Sequence, residues 1–396
     1  MKAEAHSPRA LFDGAVHYEV PVYQRPYVWT EDEQWSPLWE DIRRLTGRLI
    51  AESGTKQGAD SVPAHFLGAV VLKSKPAITG DVTRYEVVDG QQRLTTLQLL
   101  MAAARGALLD TGSFEAAAEA IAELTSNSAS RFKGKPEQFK LRPSRGDRSA
   151  FEAVMSGTVP TTLLNHRLVE AHDFFRAEIS TWLVSESVEE GTTADRAAAL
   201  FQALEAKLQV VGINLDGGDD DQLIFETLND RGTPLLKADL IKNWIFQKGE
   251  TLGAAVEEWA DNYWAEFDDE WWREEVSQGR HLRSRIDTFL QYWLTMRTAS
   301  EVQSDTLFSN FRSMGTEAMD SPESAQAMLE GLLTDATLFR ELSTQPSGDL
   351  IGRFYDVVVR NFELATVMPL LLRLASPSFN GPSGSGVRSW GSPVMR

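Results

Sequence analysis

Apolar positions along the chain fall first into short strand-like runs and then into a helical period. Residues 1–17 read as a short arm, and Tyr18 to Val22 as a short strand. His65-Phe66-Leu67-Gly68-Ala69-Val70-Val71-Leu72 reads as a buried strand, and Tyr85, Val87 and Val88 mark another. Gly90 breaks that second strand, after which Leu94, Leu97, Leu100 and Met101 recur at helical spacing. Gln209 to Leu215 is apolar enough to join the same sheet. Between the strands, Thr30 with Glu33 predicts a capping box opening a helix whose inner face is Trp35, Leu38, Trp39 and Ile42. Ala103 to Thr125 predicts an alanine-rich helix, Ser149 to Ser185 mostly helix, and Thr193 to Leu208 another. Gly232 and Pro234 close a further helix that begins after Asp219-Asp220-Asp221. From Ala254 the pattern is helical almost to the end, with Trp259, Trp264, Phe267, Trp271 and Trp272 at spacings suited to helix–helix packing. Ser376 to Arg396 reads as a linker or tail. The pattern predicts an α+β, mostly helical protein: a small mixed-sheet N-terminal core followed by a large helical bundle. The expected division is a core over 1–125 with strand 209–215 joining its sheet, a helical domain over 126–375, and the tail over 376–396.

Composition narrows the classes. At 396 residues, 42% of them hydrophobic, the chain has ample core material. No apolar run is long enough to span a bilayer, and Met1-Lys2-Ala3-Glu4-Ala5-His6 lacks a signal peptide's apolar core, so a cytoplasmic protein with no membrane partner is expected. Without cysteine there is neither a disulfide nor a zinc-thiolate site. The net charge of −18 argues against a general nucleic-acid coat, because the phosphate backbone would be repelled. DNA contact would have to be local. The most basic segment, Arg131, Lys133, Lys135, Lys140, Arg142, Arg145 and Arg148, is the candidate for it, against the alternative of a solvated loop and strand with Phe139 and Leu141 tucked inward.

The polar residues of interest sit where the strand ending at Asp89 meets its helix. A helix N-terminus offers unpaired N–H groups and positive dipole charge to a phosphate. Gly90 lets a ligand approach the backbone. Arg93 in the first turn can add a bidentate contact. Gln91 or Gln92 can orient a water, and Asp89 can accept a proton or hold a metal ion. An equal alternative is that Asp89 only caps the helix. No Walker loop occurs here. In Tyr23-Gln24-Arg25-Pro26-Tyr27-Val28-Trp29, Arg25 can reach a phosphate, while the aromatics either stack on a base or pack the core.

Three segments together carry a resemblance. Asp89-Gly90-Gln91-Gln92-Arg93, Tyr23–Trp29 and Phe225-Glu226-Thr227-Leu228-Asn229-Asp230-Arg231-Gly232-Thr233-Pro234-Leu235 resemble, in order, the motifs of the GmrSD-type N-terminal domain family of prokaryotic defence proteins; Phe66-Leu67-Gly68 before a strand agrees. The resemblance implies a ParB/sulfiredoxin-like core that hydrolyses a nucleoside triphosphate, GTP or another, with Mg²⁺ as a plausible cofactor. It also implies coupling to a DNA nuclease that restricts modified phage DNA. Within the family the chain looks most like the SspE-type proteins, which sense phosphorothioate DNA. Such proteins usually carry an HNH-type nuclease domain, whose His-rich pattern this chain lacks near its end, so a nuclease domain or subunit is expected as a partner, with a second copy of the chain as another. The implied catalytic residues are Asp89, Gln91, Gln92 and Arg93. The implied nucleotide or phosphate contacts are Arg25, Gly68, Gly90, Thr95, Asn229, Arg231 and Lys237. DNA sensing falls to Tyr23, Gln24, Arg25, Pro26, Tyr27, Trp29, Lys140 and Arg142. No metal ligands are assigned. The alternative function is a non-hydrolytic module that grips the DNA backbone of a restriction system.

Overall fold

Six strands far apart in sequence form one mixed sheet in a computed structural model of the chain. The structure describes residues 2–53, 58–76, 81–185, 191–215, 236–278, 281–344, 350–362 and 364–376. The strands are β1 (Lys2–His6), β2 (Val16–Glu19), β3 (His65–Ser74), β4 (Thr83–Asp89), β5 (Leu141–Arg142) and β6 (Leu208–Leu215), in the order β1-β6-β3-β4-β2-β5. β3 pairs antiparallel with β4, opposing Leu72 to Val87, and parallel with β6, opposing Val70 to Gly212. β2 runs parallel to both β4 and β5, with Tyr18 opposite Tyr85 and Leu141. The predicted strand near 209–215 is thus an interior member of the sheet.

Parallel pairing needs crossover connections, and helices supply them. They are α1 (Pro8–Phe12), α2 (Ser36–Glu52), α3 (Gln91–Asp110), α4 (Glu115–Thr125), the single turn α5 (Ala129–Phe132), α6 (Arg148–Met155), α7 (Arg167–Leu183) and α8 (Thr193–Gln202). α3 is buried nearly all round, on Leu94, Leu97, Leu99, Leu100, Met101, Ala103, Ala104, Ala107 and Leu108. A helix with apolar positions on every side belongs in the middle of a fold. Here α3 packs against α4 and α7.

The first compact unit runs Met1–Thr227, so the helices between residues 91 and 207 belong to the same unit as the sheet. Several local expectations change. The expected N-terminal arm contains β1, an exposed edge strand on β6, and α1, which is capped by Ser7. The alternation of β1 is short and carried only by Ala3 and Ala5 between Lys2, Glu4 and His6, too small an apolar face to stand out as a strand. Thr30 makes no side-chain cap; its N–H donates to Gln34 Oε1 (2.9 Å), and its carbonyl receives both Gln34 N and Trp35 N, opening the helix with a wide turn. The alanine-rich stretch is two helices, broken at Gly112 with φ +66°.

The second compact unit, Leu228–Arg396, is mainly helical. Its principal helices are α9 (Lys237–Thr251), α10 (Arg285–Thr298), α11 (Leu307–Ala318), α12 (Pro322–Thr344) and α13 (Met368–Ala375), with a hairpin of β7 (Glu275–Gln278) and β8 (His281–Ser284). Trp259, Trp264 and Trp272 are core, as their spacing suggests, with Trp271 half-buried beside them: Phe267, Trp272, Phe289 and Phe339 lie with successive ring centroids 5.3 Å apart. No helix among the described residues is long and apolar enough to cross a membrane.

Arg196 is a buried cation of the first unit. It is 2% exposed and donates to the carbonyls of Trp182 and Leu183 at the C-terminal end of α7 and to those of Ser185 and Gly191 beyond it. Replacing it with methionine strands those carbonyls. Arg196→Met is expected to lower the unfolding free energy by about 3–5 kcal/mol in urea titration.

Candidate functional site

β4 delivers Asp89 to the sheet end, and Gly90 turns the chain into α3 with φ +89° and ψ +14°. A Cβ at Gly90 would lie 2.7 Å from Val70 Cγ1 and 2.9 Å from the Ala69 carbonyl oxygen, so the turn needs glycine for both its conformation and its packing. Gly90, not Asp89, is the N-cap, and it offers no side chain to the helix. Leu94 N is the first amide to reach a helical carbonyl, that of Gly90 (3.1 Å), which leaves those of Gln91, Gln92 and Arg93 at the open end of the helix.

Arg93 folds back over the neighbouring strand. β3 bulges between Phe66 and Ala69, where Gly68 adopts φ +103°. A Cβ on Gly68 would sit 2.8 Å from Arg93 Nε, so the missing side chain is the space that the guanidinium occupies. Arg93 Nη1 donates to the Ala69 carbonyl (3.1 Å). Burial pushes the Asp89 carboxyl above the usual carboxylate range, while the Gly90 N–H and the charges of Arg93 and Arg25 pull it back down. One acid and two guanidinium groups therefore share the end of β4, beside open amides and two glycines.

The two glutamines hold a loop. Gln92 Nε2 donates to the Pro26 carbonyl (3.1 Å), and its Oε1 accepts from Val28 N (2.9 Å). Gln91 Nε2 donates to the Arg25 carbonyl (3.0 Å) and to Gln24 Oε1 (3.3 Å). Gln24 in turn donates to the Val88 carbonyl (3.1 Å). These side-chain amides pair with residues 24–28 much as a neighbouring strand would, and they fix the backbone of Arg25 next to Asp89. Gln92 has both ends of its amide engaged, which makes it a positioning residue here.

The other expected site residues separate. Tyr23 is 2% exposed, and Tyr27 is 5% exposed with its ring stacked on Trp35. Tyr27 Oη shares a hydrogen bond with Thr96 Oγ1 (2.7 Å) and accepts from Trp35 Nε1 (2.9 Å). The flat faces expected to stack on a base are thus core, and Trp29 packs partly against that core, leaving Pro26 and Val28 outermost. Thr95 is buried inside α3, and the neighbouring Thr96 makes the loop contact. Lys140 is withdrawn from the expected phosphate contact: it is 3% exposed, and its ammonium donates to Asn127 Oδ1 (2.8 Å) and to the Gly14 carbonyl. Arg142 pairs with Glu19 (3.2 Å). Lys237 opens α9 in the second unit, where its N–H donates to Asp287 Oδ2 (3.2 Å). Asn229 and Arg231 lie outside the described residues.

One anchor had no signal in the sequence. Asp147, 3% exposed, accepts from Tyr27 N (2.8 Å) and Ser144 Oγ (2.6 Å), with His166 Nε2 at 3.7 Å. It holds the loop from the side opposite the glutamines. No local spacing links it to Tyr27, because the contact is set by the tertiary fold.

The family model described as GmrSD restriction endonuclease, N-terminal domain, matches residues 9–246, more than half of the chain. The chain belongs to that family. Membership of the GmrSD N-terminal family places it in the context of restriction and phage defence. The matched span takes in the glutamine-held loop and the whole of α3, and ends inside α9. No curated protein matches the chain.

Two outcomes follow from the geometry. The raised carboxyl of Asp89 means that the native state favours its protonated form, so ionisation destabilises the fold above the folded-state pKa, and nothing is lost below the unfolded one. Asp89→Asn is expected to raise the thermal midpoint at about pH 8, with the gain vanishing as the pH falls below about 4. Gln92→Ala leaves Pro26 O and Val28 N unpaired, which is expected to cost about 1–3 kcal/mol and to open residues 24–29 to limited proteolysis.

Proposed function

We propose that the chain is a nucleoside triphosphatase, with GTP the favoured substrate, whose turnover answers to modified DNA. In this reading it governs DNA nicking by a nuclease domain or subunit during anti-phage restriction. The observation that carries the reading is the meeting of Asp89, Arg93 and Arg25 beside Gly68 and Gly90 at the open end of α3. Phosphoryl transfer asks little covalent chemistry of a protein; it asks for position and for positive charge where negative charge develops. The amides of Gln91, Gln92 and Arg93 receive the phosphate chain. The absence of Cβ atoms at Gly68 and Gly90 lets it come close to the backbone. Arg93, held against Ala69 O, and Arg25, held by its backbone to Gln91, stabilise the transferring group. A single carboxylate at a strand end suits Mg²⁺, which commonly takes one or two carboxylates and completes its shell with substrate phosphates and water. Asp89 would hold it, and the ion would neutralise phosphate charge.

The likeness to SspE-type proteins supports phosphorothioate DNA as the stimulus. A sulfur in place of a phosphate oxygen is larger and less strongly hydrated, so apolar surface prefers it. Pro26, Val28 and the outer part of Trp29 supply such surface on the loop that the glutamines tie to α3. DNA pressing on that loop would reach Arg25 through the same hydrogen bonds. Asn229 and Arg231 are carried as further phosphate contacts on the strength of their motif, and Lys237, two positions past it in the chain, as a cation able to reach a phosphate.

A second reading is a non-hydrolytic module that grips DNA phosphates. The glutamine pairing favours it, because it accounts for two of the motif's residues without chemistry. Phosphate release separates the two readings. GTP, ATP, CTP and UTP are incubated with Mg²⁺, alone, with phosphorothioate DNA, and with plain DNA of the same sequence. Turnover that rises with the modified DNA and falls about 10²–10³-fold in Arg93→Ala supports the hydrolase. Equal response to both DNAs removes the sensor, and no release from any nucleotide leaves the binding module.

A further inference from the structure

A second concave site lies in the first unit, at the far end of α3. It has a volume of about 510 Å³ and is walled by α3, α4, α6, α7 and the segment around Asn127 and Phe139. That volume falls in the range of small-molecule sites. The chain carries 57 acidic residues against 39 basic ones, yet no aspartate or glutamate lines this pocket, while Arg105, Arg176 and His172 all do.

The two arginines and the histidine differ in how they are held. Arg176 crosses α3 at Gly106, where any Cβ would overlap its guanidinium. Glycine is a poorer helix former than alanine in mid-helix, so the gap it leaves for Arg176 is what it contributes. Arg176 Nη1 donates to the Ala103 carbonyl (3.1 Å), and Nη2 to Asp110 Oδ2 (2.6 Å). His172, one turn before Arg176 on α7, bonds Asp173 Oδ1 through Nδ1 (3.0 Å), which turns Nε2 the other way. Asp110 and Asp173 are 69% and 65% exposed, so both pairs are solvent-screened and readily exchanged for a ligand anion. Arg105 is exposed and has no ion pair among the described residues. Phe139, Val154 and Met155 give the pocket an apolar wall.

We propose that this pocket binds a phosphate monoester carrying a flat ring, of the size and chemistry of a nucleoside monophosphate. Two guanidinium groups and an imidazole match a dianionic phosphate better than a single carboxylate, and guanidinium forks bind phosphate oxygens bidentately. The apolar wall receives the ring. The site is distinct from the one at Asp89, since Arg93 and Arg105 are separated by twelve residues of one helix, about 18 Å along its axis. It does not depend on the hydrolase reading.

Calorimetric titration of the full chain tests it, with AMP, GMP, CMP and UMP as probes beside phenyl phosphate and inorganic phosphate. At least one ring-bearing monoester is expected to bind in a one-to-one ratio and more tightly than inorganic phosphate. Arg105→Glu, a change at an exposed side chain, is expected to weaken that binding at least tenfold, while Arg93→Ala leaves it within twofold. Three results would overturn the proposal: no binding by any ring-bearing probe, binding no tighter than that of inorganic phosphate, or binding that survives Arg105→Glu. Loss in Arg93→Ala instead would assign the heat to the site at Asp89 and equally reject a second pocket.

Discussion

The first unit depends on one backbone turn. At Gly90 the chain leaves the sheet and enters its central helix with no room for a side chain, because Val70 and the Ala69 carbonyl already press on the position where a Cβ would be. That close approach brings the first turn of α3 against β3. It also puts Arg93 within reach of Gly68 and Ala69, and leaves the first amides of the helix open at the end of β4. A bulkier residue at Gly90 would separate strand and helix, and the charged groups would lose their common location. The charge pattern at Asp89 is thus a consequence of backbone packing before it is a matter of side-chain chemistry.

The loop over residues 24–28 shows how such a site can be firm without being part of regular structure. It has few ladder partners of its own, so side-chain amides stand in for them on one side and Asp147 on the other. Each bond is modest, on the order of 1 kcal/mol net. Together they convert an extended segment into a fixed wall and hold its two outermost residues, Pro26 and Val28, toward solvent. A segment supported in this way can be released piecemeal, which a strand in the middle of a sheet cannot.

The sequence made much of this legible. Strands β3, β4 and β6 show as apolar runs, α3 as a helical period after a glycine, and the second-unit tryptophans as core. The junction of Asp89 to Arg93 stands out because acid, glycine, amides and arginine crowd five positions. What could not be read was decided by distant partners. Lys140 looks like surface charge until Gly14 and Asn127 are seen to surround it. Tyr27 looks like a stacking platform until Thr96 and Trp35 take its hydroxyl. The glutamines read as water-handling groups, since nothing local announces that the chain 66 residues earlier lies across them. β1 is hard to read because the only apolar face of KAEAH is two alanines, and its partner lies more than 200 residues away.

The sheet also sets a timetable. Lys2 pairs with Asn214, so β1 is synthesised long before the partner that gives it a place in the sheet. At about 5–20 residues per second, roughly 10–40 s separate the appearance of β1 from that of its partner. During that interval β3 and β4 can already pair as antiparallel neighbours, but the flank of β3 that β6 later covers stays bare. A growing chain with an unpaired strand edge invites association with its neighbours on the same message. The exposed, charged character of β1, with Lys2 and Glu4 facing water, keeps the waiting strand itself from joining such contacts. Synthesis speed across residues 91–207 thereby becomes a variable in the yield of folded protein.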